Sequence, residues 1–138
     1  MDVLYTAEAS ADGGREGRAH SSDGIIDLPL QLPKQMGGPG GAATNPEQLF
    51  AAGYAACFHS ALMLVARQAH QDVSGSSVTA RVGIGKDDTS FGLQVTPITH
   101  LRQVAGADAH RLVEQAHQVC PYSKATRGNI EVSLEVAG

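Results

Sequence analysis

The sequence predicts an α+β domain in which strand-forming segments flank one long central helix. Three observations lead there. Short segments with apolar residues at every second position flank the middle of the chain. Between them, Thr44 to Arg67 is apolar on almost every side. A second helical stripe then runs over Gly106 to Val119. At 138 residues the chain has the length of one domain, residues 1–138, with a sizeable core, and it holds no internal repeat.

Taken in order, Val3, Tyr5 and Ala7 alternate with Leu4, Thr6 and Glu8, which predicts a strand that the turn Asp12-Gly13-Gly14 ends. Arg18 to Ser22 returns as its hairpin partner. Ile26, Leu28, Leu30 and Leu32 give a cleaner period of two, so the first third reads as a small antiparallel sheet. Pro33 to Ala43, with its GGPGG run, is an irregular loop; no GK[ST] follows it, and its loose Gly38, Gly40, Ala43 match to a dinucleotide fingerprint lacks an immediately preceding strand and an acidic residue at the end of a second strand, so it is not read as a phosphate cradle. Thr44 with Glu47 forms a capping box, Asn45 competes as the N-cap, and Pro46 sits where a missing N–H costs nothing. The helix that starts there fades near His70 to Gly75. Val78, Ala80, Val82 and Ile84 predict a strand, Lys86-Asp87-Asp88 a turn, and Phe91 to Ile98 its partner, with Pro97 marking an edge or a bulge. Leu112, Val113, Ala116 and Val119 make the second helix, which Pro121 ends; Ile130, Val132, Leu134 and Val136 make a last strand with one wet face.

Ten Lys and Arg against fourteen Asp and Glu give a net charge of -4, without any basic run. That argues against a nucleic-acid or membrane partner. The first ten residues lack a basic flank and an apolar core, so the expected location is the cytoplasm, where two cysteines are not a structural staple. Leu49 to Ala66 approaches the length of a membrane span, but His59 and Ser60 at its centre and its Ala and Gly content favour a buried helix. Such a helix needs a sheet on one side and further cover on the other. A homodimer with two of these helices packed together supplies it.

Chemistry turns on Cys57 and Cys120, and the residues alone leave four readings open. Both can be small buried hydrophobes. With His59 and His117 they can be zinc ligands, although residues two apart on a helix point about 200° apart. They can form a structural disulfide, which suits the compartment poorly. Or one thiolate is oxidised by a peroxide and the other resolves it.

TNPEQLFAAGYAACF around Cys57 and VCPYSKATRGNIEV around Cys120 resemble the organic hydroperoxide resistance (Ohr) branch of the OsmC/Ohr family. GGREG at the first turn, GGPGG before the helix and RVGIG at Arg81 to Gly85 match in the same order, so the resemblance covers nearly the whole chain. One departure is Lys124, where the family commonly carries Asn. The resemblance implies antiparallel sheets wrapped around a long central helix in an intertwined homodimer, and a thiol peroxidase that needs no cofactor or metal. It implies that Cys57 is peroxidatic, Cys120 resolving, and Arg15 and Glu47 the other members of the site. It implies organic (alkyl and fatty-acid) hydroperoxides as substrates and a dithiol, the dihydrolipoyl group of a lipoylated protein, as reductant.

The physical reading fits these roles. A thiol buried among apolar groups has its pKa raised, so a cation is needed to restore the thiolate; Arg15 can supply it, held by a two-point contact with Glu47. Read without the resemblance, Glu47 is a helix cap and Arg15 a solvated turn residue. Met36, Leu49, Phe50 and Phe91 are candidates for an apolar slot beside Cys57, or ordinary core. Ten residues of uninterrupted helix place Glu47 about 15 Å from Cys57 along the axis. One site holding both therefore requires a break near Gly53 or a carboxylate from a second subunit.

Overall fold

The computed structural model describes residues 1–137, which group into two compact units, Met1–Leu49 and Phe50 onward. In the first unit, β1 (Ala9–Asp12), β2 (Arg18–Ser21) and β3 (Asp27–Pro29) form an antiparallel sheet in that order. The β1–β2 connection is a tight 3-10 turn over Gly14–Glu16. It opens on Gly13 at φ 74°, and a Cβ on Gly17 would fall on the carbonyl oxygen of Asp12, so the glycines of GGREG are steric requirements of the hairpin.

Two expectations for this region change. The strand expected over Val3 to Glu8 pairs only from Ala9 onward. β2 stops at Ser21, where the chain turns toward Gly24; Ser22 still donates its N–H to the Glu8 carbonyl at 2.9 Å, and before that Val3, Leu4 and Tyr5 stand exposed. The helix start also differs. Leu30 bridges Thr44, closing the Gly- and Pro-rich loop at its base, and the side chain of Asn45 accepts the N–H of Gln48 at 2.8 Å. Asn45 is thus the N-cap, while the Thr44 hydroxyl bonds the Gln48 side chain. The capping box does not form, which leaves the Glu47 carboxylate available to another partner.

Helix α1 (Pro46–Gln68) begins here and runs without a break through Gly53. It ends at a left-handed His70, φ 55°. In the second unit, β4 (Ser77–Lys86) and β5 (Phe91–His100) pair antiparallel along their whole length. Helix α2 (Gly106–Val119) follows, then a short α3 (Pro121–Thr126) that the sequence reading did not anticipate: Pro121 ends α2 and also occupies the first position of a new helix. The last strand divides into β6 (Glu131–Val132) and β7 (Glu135–Ala137), both parallel to β5, because the α2–α3 crossover returns the chain in the direction of β5. Pro97 therefore lies in a central strand, not at an edge. It falls between the β6 register at Gln94 and Val95 and the β7 register from Ile98, where neither short strand has a residue opposite it.

The core of this unit joins Tyr54, Phe58, Leu62 and Val65 of α1 to Val95 and Leu101 at β5 and to Leu112, Val113 and Ala116 of α2. Each large side chain buried there contributes about 1.5–3 kcal/mol. The opposite face of α1, along Ala52, Ala56, Ser60, Met63 and Leu64, stays exposed, with Met63 at 46% and Leu64 at 42%. By length and apolarity alone α1 is able to cross a bilayer, with a mean hydropathy of 1.7, and a third of that stretch is buried. Among the described residues, β4 carries a ladder on one side only.

Candidate redox site

Arg15 and Glu47 meet within the first unit. Arg15 sits in the 3-10 turn fixed by Gly13 and Gly14, and Glu47 in the first turn of α1. Nη1 donates to Oε2 at 2.8 Å and Nη2 to Oε1 at 2.7 Å, the parallel fork that suits a guanidinium and a carboxylate. The Glu47 side chain is largely buried and Arg15 partly exposed. The Arg15 hydrogen bonds hold the Glu47 carboxyl below its ordinary range against the opposing effect of burial, and Glu47 in turn raises the Arg15 pKa. The result is a cation fixed in direction that does not titrate near neutral pH.

Cys57 and Cys120 meet within the second unit. Their sulfurs lie 3.6 Å apart, both as free thiols, with Cys57 partly exposed and Cys120 fully buried. Cys120 occupies the junction between two helices. Its N–H bonds Ala116 at the end of α2, and its carbonyl accepts the N–H of Lys124 in α3. Burial pushes the Cys57 thiol pKa up, while a hydrogen bond from the Tyr122 backbone N–H acts the other way. Two thiols at contact distance are placed for disulfide formation, but Cys57 requires help to ionise.

Sequence reasoning missed the backbone N–H of Tyr122, which acts on the Cys57 thiol, and a cluster of side chains places it. Phe50, Tyr54 and Tyr122 form an aromatic triad with centroids 5.5–5.9 Å apart. The Tyr122 ring lies over Gly53, where an added Cβ would stand 2.6 Å from its hydroxyl. Beneath it the Tyr54 hydroxyl reaches Ser123 at 3.1 Å and Thr126 at 3.0 Å. The spacing Phe50, Gly53, Tyr54, Cys57 was the available signal, since i, i+3, i+4 and i+7 share one helix face.

The remaining candidates separate. Phe50 packs on the same hydrophobic cluster as Cys57. Met36 ends the 3-10 turn of the Gly- and Pro-rich loop, and Leu49 follows Glu47 in the first turns of α1; both are half-buried. Phe91 stands 60% exposed at the mouth of the β4–β5 hairpin, with the Lys86 ammonium 5.9 Å from its ring centre, and lies outside that cluster. His59 turns to the Ser76 hydroxyl at 3.0 Å, and no three metal-binding side chains gather among the described residues.

Comparison with known proteins agrees with the motif reading. A family profile described as OsmC-like protein matches residues 38–135. The chain is 53% identical over 136 residues to an organic hydroperoxide resistance protein of Xanthomonas axonopodis pv. citri, covering 98% of this chain and 96% of that one. It is 51% identical over 140 residues to the organic hydroperoxide resistance protein OhrA of Bacillus subtilis, covering 97% and 96%. The crystal structure of an organic hydroperoxide resistance protein OsmC from Legionella pneumophila, 45% identical, superposes with a TM-score of 0.93 over 99% of this chain and 100% of that one.

Proposed function

Because the chain belongs to the OsmC-like family and has the OsmC/Ohr fold, we propose that it defends against organic hydroperoxides as a thiol peroxidase, with Cys57 and Cys120 as its redox pair. The observation that carries the reading is the pair itself: two free thiols 3.6 Å apart, one partly exposed to receive an oxidant and one buried behind it.

The Cys57 thiolate attacks the distal oxygen of the hydroperoxide. The S–O bond forms as the O–O bond breaks, and the alkoxide leaves and takes up a proton to become the alcohol. Cys120 then attacks the sulfenic sulfur, the disulfide forms, and hydroxide departs with the thiol proton as water. A dithiol restores the pair by two exchanges and is itself oxidised to a cyclic disulfide. A lipoylated protein is the proposed donor, in the cytoplasm, where the pair is kept reduced between turnovers. Arg15, held by Glu47, supplies the positive charge that burial makes necessary at Cys57.

The working form we propose is a homodimer. The bare face of α1 and the unpaired edge of β4 both call for a partner. Since α1 is unbroken at Gly53, each Cys57 is served by the Arg15–Glu47 pair of the other subunit.

Counting thiols before and after one equivalent of an alkyl hydroperoxide tests the reading. Loss of both thiols, one equivalent of alcohol and a linked Cys57–Cys120 peptide pair is the expected result. Unchanged thiols with the hydroperoxide intact would overturn it.

A further inference from the structure

The redox pair accounts for Cys57 and Cys120 but leaves unused a buried polar network directly beside them. Tyr54 is fully buried in α1, one helical turn before Cys57 and on the same face. Its hydroxyl lies within hydrogen-bond distance of Ser123 and Thr126, both buried side chains of α3. These are the only hydrogen bonds from side chain to side chain that tie α1 to α3 among the described residues, the sulfur contact aside.

The direction of the protons in this network follows from counting donors. Thr126 gives its hydroxyl proton to the carbonyls of Tyr122 and Ser123, at 3.1 and 3.2 Å. In that arrangement it accepts from Tyr54, and Tyr54, having one proton, accepts in turn from Ser123. Each hydroxyl is then satisfied, and two contacts from one tyrosine oxygen to two side chains of α3 hold α3 against α1 in position and in rotation. What α3 carries is what the redox step needs: Cys120 immediately before its first residue, and the backbone of Tyr122 in its first turn. The Tyr122 ring, seated on Gly53, is the second point of the same attachment.

We propose that Tyr54 is a positioning residue for the redox pair: its hydroxyl docks α3 on α1 and so holds the Cys120 sulfur within reach of Cys57. This rests on the peroxidase reading for its biological use, but the positioning is a property of the two thiols and can be read without any peroxide. Held at 3.6 Å, the pair has a high effective concentration for disulfide formation; loosening α3 lowers it while leaving both thiols in place.

The test is the Cys57–Cys120 redox equilibrium in glutathione buffers, measured on wild type and Tyr54→Phe. The variant removes one oxygen and keeps the ring in the aromatic triad. The disulfide is expected to become about tenfold easier to reduce, about 30 mV. With excess alkyl hydroperoxide, a larger share of Cys57 should pass to sulfinic acid before Cys120 captures it. Thr126→Val, which interrupts the same network from the α3 side, should shift the equilibrium in the same direction, and it serves where Tyr54→Phe does not fold. Val95→Ala, a core change elsewhere in the same unit, should lower stability and leave the potential unchanged. A redox equilibrium constant within twofold of wild type in whichever network variant folds would overturn the proposal, as would an equal shift in Val95→Ala. Wild type that forms the disulfide in glutathione buffer but ignores hydroperoxide would overturn the peroxidase reading and leave the role of Tyr54 standing.

Discussion

Arg15 and Glu47 are joined by two parallel hydrogen bonds of 2.8 and 2.7 Å, across thirty-two residues of sequence and from two elements that are themselves tightly fixed. The contact locks a guanidinium in direction as well as in charge, which a lysine in its place could not do. Arg15→Lys should therefore behave more like Arg15→Ala than like wild type. Both should lower hydroperoxide turnover about a hundredfold or more, with the far-ultraviolet circular dichroism unchanged. Activity within a few-fold of wild type in Arg15→Ala would make the arginine a bystander.

The same pair gives a pH dependence of stability. Arg15 holds the Glu47 carboxyl below its ordinary value of 4.5. The stabilisation is therefore present above that value and is lost as the pH falls through the lower, folded-state value. Urea midpoints measured from neutral pH down to about pH 3 should fall more steeply for wild type than for Glu47→Gln, which has no carboxylate to protonate.

Removing the resolving thiol should leave the first oxidation intact and change its product. Cys120→Ser treated with excess alkyl hydroperoxide should accumulate a Cys57 species carrying two added oxygens, whereas wild type should lose two hydrogens and form the linked peptide pair. Mass spectrometry of the intact chain separates these outcomes.

Subunit complementation checks where the carboxylate comes from. Glu47→Ala and Cys57→Ser homodimers should each be inactive, and mixing them under conditions of subunit exchange should restore about one working site per heterodimer. Inactive heterodimers, with exchange demonstrated, would place Glu47 and Cys57 of one chain in the same site.

Thr99 gives a prediction about stability alone. It is fully buried in β5, and its hydroxyl oxygen has no hydrogen-bond partner among the described residues. Thr99→Val keeps the shape and removes the unpaired group, so the urea midpoint should rise, by an amount corresponding to about 1 kcal/mol or more.

How much of this was legible follows a physical line. Helix α2 and the strands β4 and β5 lie where periodicity placed them, because each buries one face and that face recurs at a fixed interval. Alternation does not encode direction, so the last strand was visible and its parallel pairing was not. Thr44 and Asn45 both offered a cap, and only the bridge of Leu30 to Thr44 settled that Asn45 is used. At the site, cysteines and charges stood out as residue types. Tyr54 did not, because a tyrosine inside an apolar run reads as core until its hydroxyl partners, 69 and 72 residues away, are in view. The Tyr122 contact is made by the backbone and so has no residue type to signal it.

In the proposed cycle, the burial of Cys120 also sets an order of events. An incoming thiolate can reach only the Cys57 side of the disulfide, so every exchange begins there and expels Cys120 as the leaving group. Oxidant and reductant must then use the same doorway in alternation and cannot occupy it together. Initial rates should follow ping-pong kinetics, with parallel double-reciprocal lines, and a large excess of dithiol should slow the enzyme by competing with the hydroperoxide for the one exposed sulfur.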